Sequence, residues 1–212
     1  MNSLKNLILL AIIFGAIGAT YLYSDLILLP FFILLLLLMA TFNKDEFNFT
    51  YLIKVIIAFT IVESLLGLTI FKLITHKPGF IQNSIIFTSH LIIDILIAYF
   101  ISNRKSICLK YIKNISIETK KEIFEKSLLD APLLGVYLLF CIVDTLALLE
   151  NLLRHLDKIG FPAEAASKFS DFQFLYNNYE YIKYALLSLV LLLFISLFIR
   201  KATSGSQLLH RR

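Results

Sequence analysis

The sequence is poor in the residues that cross-link chains or interrupt helices. Its 212 residues include two cysteines, four prolines, seven glycines and no tryptophan. Two cysteines exclude a disulfide framework, and neither Cys108 nor Cys141 is expected to form a disulfide. So few prolines and glycines leave long uninterrupted stretches in which helices can form.

Charged residues are scarce as well. They make up 17% of the chain against 58% hydrophobic and 14% aromatic residues, with a mean hydropathy of +0.81. This is far more apolar than the core of a soluble domain requires. Runs long enough to cross roughly 30 Å of hydrocarbon cover residues 7–23, 26–42, 55–71, 85–101, 133–149 and 182–199. None alternates as a barrel strand does, so the sequence predicts an all-α polytopic membrane protein with about six spans.

The first two apolar runs are too long together for one straight helix. Ser24 and Asp25 supply a polar turn before Pro30, which favours a hairpin. A single kinked or re-entrant element is the alternative, and four spans in total is the alternative count. The predicted organisation is a four-span region at 1–101, a basic linker at 102–130, a two-span region at 131–199 with an outer loop at 151–180, and a basic tail at 200–212.

Lysine and arginine are concentrated after the fourth run and in the tail. Because cytoplasmic loops carry an excess of these residues, both segments and both termini are expected in the cytoplasm. The net charge of +5 is therefore attributed to topology, and direct nucleic-acid binding is not expected. The absence of eukaryotic targeting signals favours a bacterial inner membrane.

The linker at 102–130 contains a helix signature. Thr119 and Glu122 form a capping box, and Ile123, Phe124 and Leu128 are predicted on one apolar side. Such a basic amphipathic helix is typical of segments that lie on the inner leaflet or dock a partner. The candidate partner-docking residues are Lys110, Lys113, Lys120 and Lys121. A solvated connector that only obeys the positive-inside rule is the alternative.

The predicted outer loop is rich in aromatic residues. Gly160 is expected to end the fifth helix, and Pro162 to begin a short one. The candidate sensing residues that follow are Phe169, Phe172, Phe174, Tyr176 and Tyr179. Packing against headgroups or neighbouring subunits is the alternative role.

Four ionisable residues are predicted inside the spans: Glu63, His90, Asp94 and Asp144. In "HLIIDILIAYF", His90 and Asp94 share a helix face, and a hairpin of the third and fourth spans brings Glu63 to His90. Ionisable groups at membrane depth are functional candidates because they are costly there. The hypothesis is an intramembrane polar switch; a polar cluster that only fixes packing and a proton relay or ion path are the alternatives.

The sequence contains no recognisable catalytic motif. His90 to Asp94 and Glu150 to Arg154 are similar to pieces of the CAAX-type intramembrane protease motifs, but their order is reversed and residue 149 is leucine. There is no H-E-x-x-H, G-x-S-x-G or phosphate-binding glycine loop. The sequence therefore predicts neither an enzyme nor a cofactor or metal site.

The whole chain, including "MNSLKNLILLAIIFGAIGATYLYSDL", "KNISIETKKEIFEKSLLDAPLLG" and "FSDFQFLYNNYEYIKY", resembles the KwaA family, the membrane component of the Kiwa anti-phage defence system. That resemblance implies a membrane sensor or scaffold that responds to phage attachment or injection and works with a cytoplasmic DNA-binding effector of the KwaB type. The uncovered polar faces predict a homo-oligomer, plausibly a tetramer, in membrane lipid. An immunity protein against a pore-forming bacteriocin and a small ion- or proton-coupled transporter or channel are the alternatives.

Overall fold

A computed structural model describes residues 25–44, 46–111, 121, 123 and 127–209, and the elements assigned there are helical. They are α1 (Asp25–Phe42), α2 (Phe47–Ile74), α3 (Gly79–Ser102), α4 (Arg104–Tyr111), α5 (Asp130–Arg154), a 3₁₀ helix (Leu156–Ile159), α6 (Ala163–Ser167) and α7 (Phe174–Leu209). The predicted all-α class is confirmed.

Within the described part of the chain, four helices are long and apolar enough to cross a membrane. They are α2, α3, α5 and the Phe174–Ile199 portion of α7. They contain the third to sixth predicted runs. The second run lies in α1, whose apolar portion Leu29–Phe42 is shorter, and the first run lies outside the described residues.

Successive long helices are antiparallel, so the helix bundle has two distinct ends. At one end Arg104 of α4 bonds Asn48 of α2 and Asp130 of α5; we call this the basic end. At the other end Asn151 of α5 bonds the Phe80 carbonyl of α3; we call this the loop end, because it carries residues 155–173 between α5 and α7. The two ends are therefore joined by helices that run the full length of the bundle.

The main core lies between α1, α2, α3, α5 and α7. Leu36, Ile53, Leu133, Val190 and Phe194 are completely buried in it. Large apolar side chains are also exposed on the outside, among them Leu65, Leu68, Leu73, Ile92 and Leu192. An apolar exterior over an apolar core is the pattern expected of helices surrounded by lipid.

Hydroxyl groups in the long helices bond to the backbone of the same helix. Ser64 donates to the Thr60 carbonyl, Ser84 to that of Phe80 and Thr145 to that of Cys141. These bonds satisfy polar groups that have no access to water in an apolar setting. The small polar residues of the spans are thus compatible with membrane depth without a pore.

Several local predictions can be compared with the structure. Pro162 precedes α6, as predicted. Gly160 has φ of 97° but ends the 3₁₀ helix, whereas the fifth helix already ends at Arg154, so the prediction that Gly160 ends the fifth helix is wrong. The loop is shorter than predicted, since α5 continues to Arg154 and α7 begins at Phe174. Leu128 is 60% exposed in a turn, so its predicted place on the apolar side of the linker helix is wrong.

Candidate functional site: an intramembrane charged network

The centre of the site is Lys183, a buried lysine on the face of α7 that packs towards α3 and α5. Its Nζ donates to Asp94 Oδ2 at 2.7 Å and to Asp144 Oδ1 at 3.2 Å. Asp94 and Asp144 are 3% and 0% exposed and Lys183 is 8% exposed. One ammonium group therefore connects three helices inside the bundle.

Tyr179 lies one helical turn before Lys183 and extends the contacts. Its hydroxyl donates to Asp144 Oδ1 at 2.7 Å, and its oxygen lies 2.8 Å from Nδ1 of His90. A tyrosine hydroxyl has one proton to donate, so His90 must be the donor in the second bond. The Tyr179 ring is held against Phe87, with ring centroids 4.8 Å apart.

Glu63 brings α2 into the same cluster. Its Oε1 lies 3.8 Å from His90 Nδ1, and the two side chains are about one-quarter exposed, at 24% and 25%. The residues connected in this way are Glu63, His90, Tyr179, Asp144, Lys183 and Asp94, and we call them the charged network.

Aromatic side chains form a wall of this network. The Lys183 ammonium lies 4.7 Å from the centroid of the Phe140 ring and 5.8 Å from that of Tyr179. A cation over an aromatic face is attracted by the ring quadrupole, and the attraction grows when water is excluded. The ammonium is therefore held by two carboxylates and two rings.

The charged network lies well inside the helices that carry it, far from their starts. At about 1.5 Å per residue, Lys183 is roughly 14 Å from the start of α7, His90 roughly 17 Å from the start of α3 and Asp144 roughly 21 Å from the start of α5. These positions are well separated from the starts of helices that are long enough to cross a hydrocarbon layer of about 30 Å. Charges placed there require partners, and the geometry supplies them.

The ionisable residues predicted inside the spans lie together. Glu63, His90, Asp94 and Asp144 all belong to the charged network. His90 and Asp94, which share a helix face, have different partners, because Asp94 accepts from Lys183 and His90 donates to Tyr179.

Lys183 and Tyr179 were not predicted as members. The sixth apolar run begins at residue 182. The sequence pattern therefore places Lys183 at the membrane boundary and Tyr179 in the outer loop. The available signal is their spacing of four residues, which puts both on one face of a helix that starts before the apolar run. Tyr179 is 8% exposed, so its predicted role as an exposed sensing residue is wrong.

The other candidate sensing residues are exposed at the loop end. Phe169 and Phe172 lie in the loop, and Phe174 and Tyr176 lie in the first turn of α7. Glu150 of α5 caps that turn, because its two carboxylate oxygens accept from the backbone N–H groups of Leu175 and Tyr176, each at 2.8 Å. The exposed aromatic surface is thereby fixed to α5 and α7.

At the basic end a buried arginine performs the equivalent joining role. Arg104 is 1% exposed, and its Nη2 donates to Asp130 Oδ2 at 2.9 Å while Nη1 donates to Asn48. Cys108, one turn later in α4, is also buried, and this burial raises the pKa of its thiol, with Arg104 acting in the opposite direction. Three helices therefore meet at one guanidinium group.

The candidate docking lysines are only partly described. Lys110 is exposed at the end of α4 and Lys121 is exposed in the linker, where Ile123 is buried. Lys113 and Lys120 lie outside the described residues, as do the capping-box residues Thr119 and Glu122. The exposed lysines and the buried isoleucine are the arrangement of an amphipathic segment.

Among the described residues no group of three or more His, Cys, Asp or Glu side chains is arranged to hold a metal ion. Comparisons of the chain with models of protein families, with curated proteins and with solved structures give no match. The geometry of the site is that of a charged, hydrogen-bonded junction between helices.

Proposed function

We propose that this protein is a membrane-embedded sensor and scaffold of a bacterial anti-phage defence system. It is inserted in the inner membrane with its basic end in the cytoplasm, responds to phage attachment or injection at the loop end, and docks a cytoplasmic DNA-binding effector. The observation that carries the proposal is the bond of Lys183 to both Asp94 and Asp144, because it couples the helix that begins at the loop to the helices that lead to the basic end.

The first step of the proposed signal takes place at the loop end. A phage component or a disturbed outer leaflet engages Phe169, Phe172 and Phe174, which expose apolar rings. Glu150 of α5 holds the first turn of α7 by two backbone hydrogen bonds. Force on these rings is therefore applied to the contact between α7 and α5.

The second step takes place in the charged network. A displacement of α7 changes the distances from Lys183 to Asp94 on α3 and to Asp144 on α5. Packed helices with discrete ion-pair arrangements behave as bistable elements, so a small displacement selects one of two states. The charged network is thus the proposed switch.

The third step takes place at the basic end. Residue 103 alone separates α3 from α4, whose first residue Arg104 holds Asp130 and Asn48. Movement of α3 against α5 is therefore transmitted to α4 and to Lys110 at its end. We propose that Lys110, Lys113, Lys120 and Lys121 form the docking surface for acidic patches of the effector.

The proposed assembly is a homo-oligomer, plausibly a tetramer. The outer half of α2 supports it, because Leu65, Leu68 and Leu73 are 59%, 66% and 71% exposed in the single chain while Glu63, on the same helix, is only one-quarter exposed. A second copy on this side would cover the edge of the charged network, where lipid alone gives a carboxylate no partner.

Affinity purification of the tagged protein in mild detergent, followed by native mass spectrometry, tests the docking role. The expected result is an oligomer with a stoichiometric soluble partner, and loss of that partner when Lys113, Lys120 and Lys121 are all replaced by glutamate. The control replaces Lys158 and Lys168, both exposed at the loop end, by glutamate and should retain the partner. A lone species from wild type, or unchanged partner binding after the reversal at the basic end, contradicts the proposal.

A proton-coupled transporter is the second candidate, favoured by the hydrogen-bonded connection from His90 through Tyr179 to Asp144. Proteoliposomes with a pH-sensitive dye inside distinguish it from the sensor. The sensor predicts no protein-dependent proton flux under an imposed gradient, whereas a transporter predicts flux that is abolished by Asp144→Asn.

A further inference from the structure

We infer that the Asp94–Asp144 pair is a proton-binding site that holds one proton between its two carboxyl groups beside Lys183. The inference deepens the proposed switch and rests on the proposed function for its consequence, because it names the ligand whose gain or loss changes the state of the network. Proton binding itself is a property of the purified protein and is measured without phage or effector.

The first argument is charge balance. Two carboxylates and one ammonium, all less than 10% exposed, leave one negative charge in excess. An uncompensated charge inside a membrane is costly. A second cation among the described residues does not contact either carboxylate, so a proton is the ligand that removes the excess.

The second argument is the unequal sharing of Lys183. Its ammonium is 2.7 Å from Asp94 but 3.2 and 3.4 Å from the two oxygens of Asp144. The shorter bond is that of a charge-assisted pair, and the longer bonds leave Asp144 to a second donor, the Tyr179 hydroxyl at 2.7 Å. Asp94 is therefore the carboxylate paired with the Lys183 ammonium, and Asp144 is the carboxylate available for a proton.

The third argument is a route for the proton. When Nε2 of His90 takes up a proton, the Nδ1 proton passes to the Tyr179 oxygen, 2.8 Å away, while the Tyr179 proton passes to Asp144 Oδ1, 2.7 Å away, and His90 is left neutral. One N–H and one O–H bond break and two O–H bonds form, so the step needs no other reactant. His90 and Glu63, each about one-quarter exposed, are the least buried members of the network and lie at the outer end of this connection.

The titratable groups around the pair come from each helix packed against it. They are Glu63 from α2, His90 from α3, Tyr137 and Cys141 from α5, and Tyr179 and Lys183 from α7. Protonation of Asp144 removes its attraction for Lys183 and leaves the bond from Lys183 to Asp94. The consequence is that α7 stays joined to α3 while its connection to α5 weakens.

Infrared spectroscopy of the full-length protein in lipid nanodiscs, titrated in light and heavy water, tests the site. At neutral pH the wild type is expected to show the carbonyl band of a protonated carboxylic acid, shifted to lower frequency in heavy water. Either Asp94→Asn or Asp144→Asn should abolish the band, because Lys183 balances the one remaining carboxylate. The control Glu164→Gln, in the exposed helix α6, should retain it, and Lys183→Met should increase it.

Absence of the band in wild type, its survival in both asparagine variants, or its loss in Glu164→Gln overturns the inference. If the asparagine variants do not fold, wild type labelled with heavy carbon in aspartate or in glutamate decides the matter: a band that moves with labelled aspartate supports the site, and one that moves with labelled glutamate overturns it. A confirmed band together with failed partner binding refutes the proposed function while leaving the proton site standing.

Discussion

At the scale of single residues, the molecule depends on a few charged side chains whose partners lie on other helices. Lys183 and Arg104 are both almost completely buried, and each joins two other helices through carboxylate or amide oxygens. Exposed pairs such as Lys158 with Asp157 are different, because both charges are hydrated; there the hydrogen bond from Lys158 lowers the pKa of the Asp157 carboxyl without joining elements.

Replacement of Lys183 by methionine leaves two buried carboxylates without a counterion. The free energy of unfolding is expected to fall by about 3–5 kcal/mol, as when one partner of a buried pair is removed. Thermal unfolding of the purified protein in detergent measures this. Lys168→Met, at an exposed loop position, is the matched control and should leave the melting temperature unchanged.

The triple variant with Lys183→Met, Asp94→Asn and Asp144→Asn separates charge from packing. Because it removes all three charges together, it should recover most of the lost stability. A melting temperature of Lys183→Met equal to that of wild type would show that the ammonium is not the junction described above.

The sequence predicted part of this site at the residue scale. The spacing in "HLIIDILIAYF" and a hairpin of two adjacent spans were enough to anticipate that Glu63 approaches His90, since both follow from helix geometry. The role of Lys183 was not predictable in the same way. That role depends on two facts: α7 starts eight residues before the apolar run, and α5 and α7 pack together. Both belong to the tertiary structure and not to the local sequence pattern.

At the scale of elements, the ends of helices are fixed by contacts from outside the helix. The first turn of α7 has unpaired backbone N–H groups by geometry, and Glu150 of α5 supplies the acceptors. Asn151, the next residue, donates to the Phe80 carbonyl and to Ser84 Oγ of α3. The loop end is thus a three-helix junction built from two consecutive polar residues.

Replacement of Glu150 by alanine should release the start of α7. Loss of an N-terminal cap costs about 1–2 kcal/mol, and the amides of Leu175 and Tyr176 should exchange hydrogen faster while those of the α7 centre do not change. Hydrogen exchange with mass spectrometry makes the measurement. Glu164→Ala in the exposed helix α6 is the control, and equal exchange in the two variants would contradict the capping role.

Element boundaries show where sequence patterns stop being informative. Gly160 does end a helix and Pro162 does precede one, because left-handed backbone and fixed φ are local properties. The helix that Gly160 ends is the 3₁₀ helix and not α5, because the end of α5 at Arg154 has no such local signal. The start of α7 was placed too late, because its first turns are polar and aromatic and owe their helical form to Glu150 on another helix. Leu128 was misplaced because α5 begins at Asp130, just after a turn.

At the scale of the whole molecule, the antiparallel helices separate two unlike ends. The loop end exposes aromatic rings, and the basic end carries Lys105 and Lys110 on α4. Under the positive-inside rule this asymmetry supports the proposed orientation, with α4 in the cytoplasm.

Cysteine labelling with a membrane-impermeant maleimide checks the orientation. In intact spheroplasts, Lys168→Cys is expected to react, whereas Lys121→Cys should react only after the membrane is permeabilised. The native Cys108 gives little background, because its thiol is buried and its raised pKa lowers the thiolate fraction at neutral pH. Labelling of Lys121→Cys in intact spheroplasts would reverse the proposed orientation.

The all-helical class and the four long apolar helices followed from composition and run length, which are properties of the whole chain. The count of six spans stays a prediction, since the first run lies outside the described residues and α1 is short in its apolar portion. Oligomer size was not predictable for a physical reason: the exposed apolar faces of α2 and α5 suit lipid and protein alike.

The central claim is that the charged network transmits a signal in anti-phage defence, and plaque formation on cells carrying the native locus tests it most directly. Wild type is compared at equal membrane levels with the triple variant Lys183→Met, Asp94→Asn and Asp144→Asn, which removes all three charges together. The account predicts that wild type reduces plaque formation and that the variant, which inserts but lacks the α5–α7 ion pair, does not. Equal protection by both, or none by wild type, would contradict it.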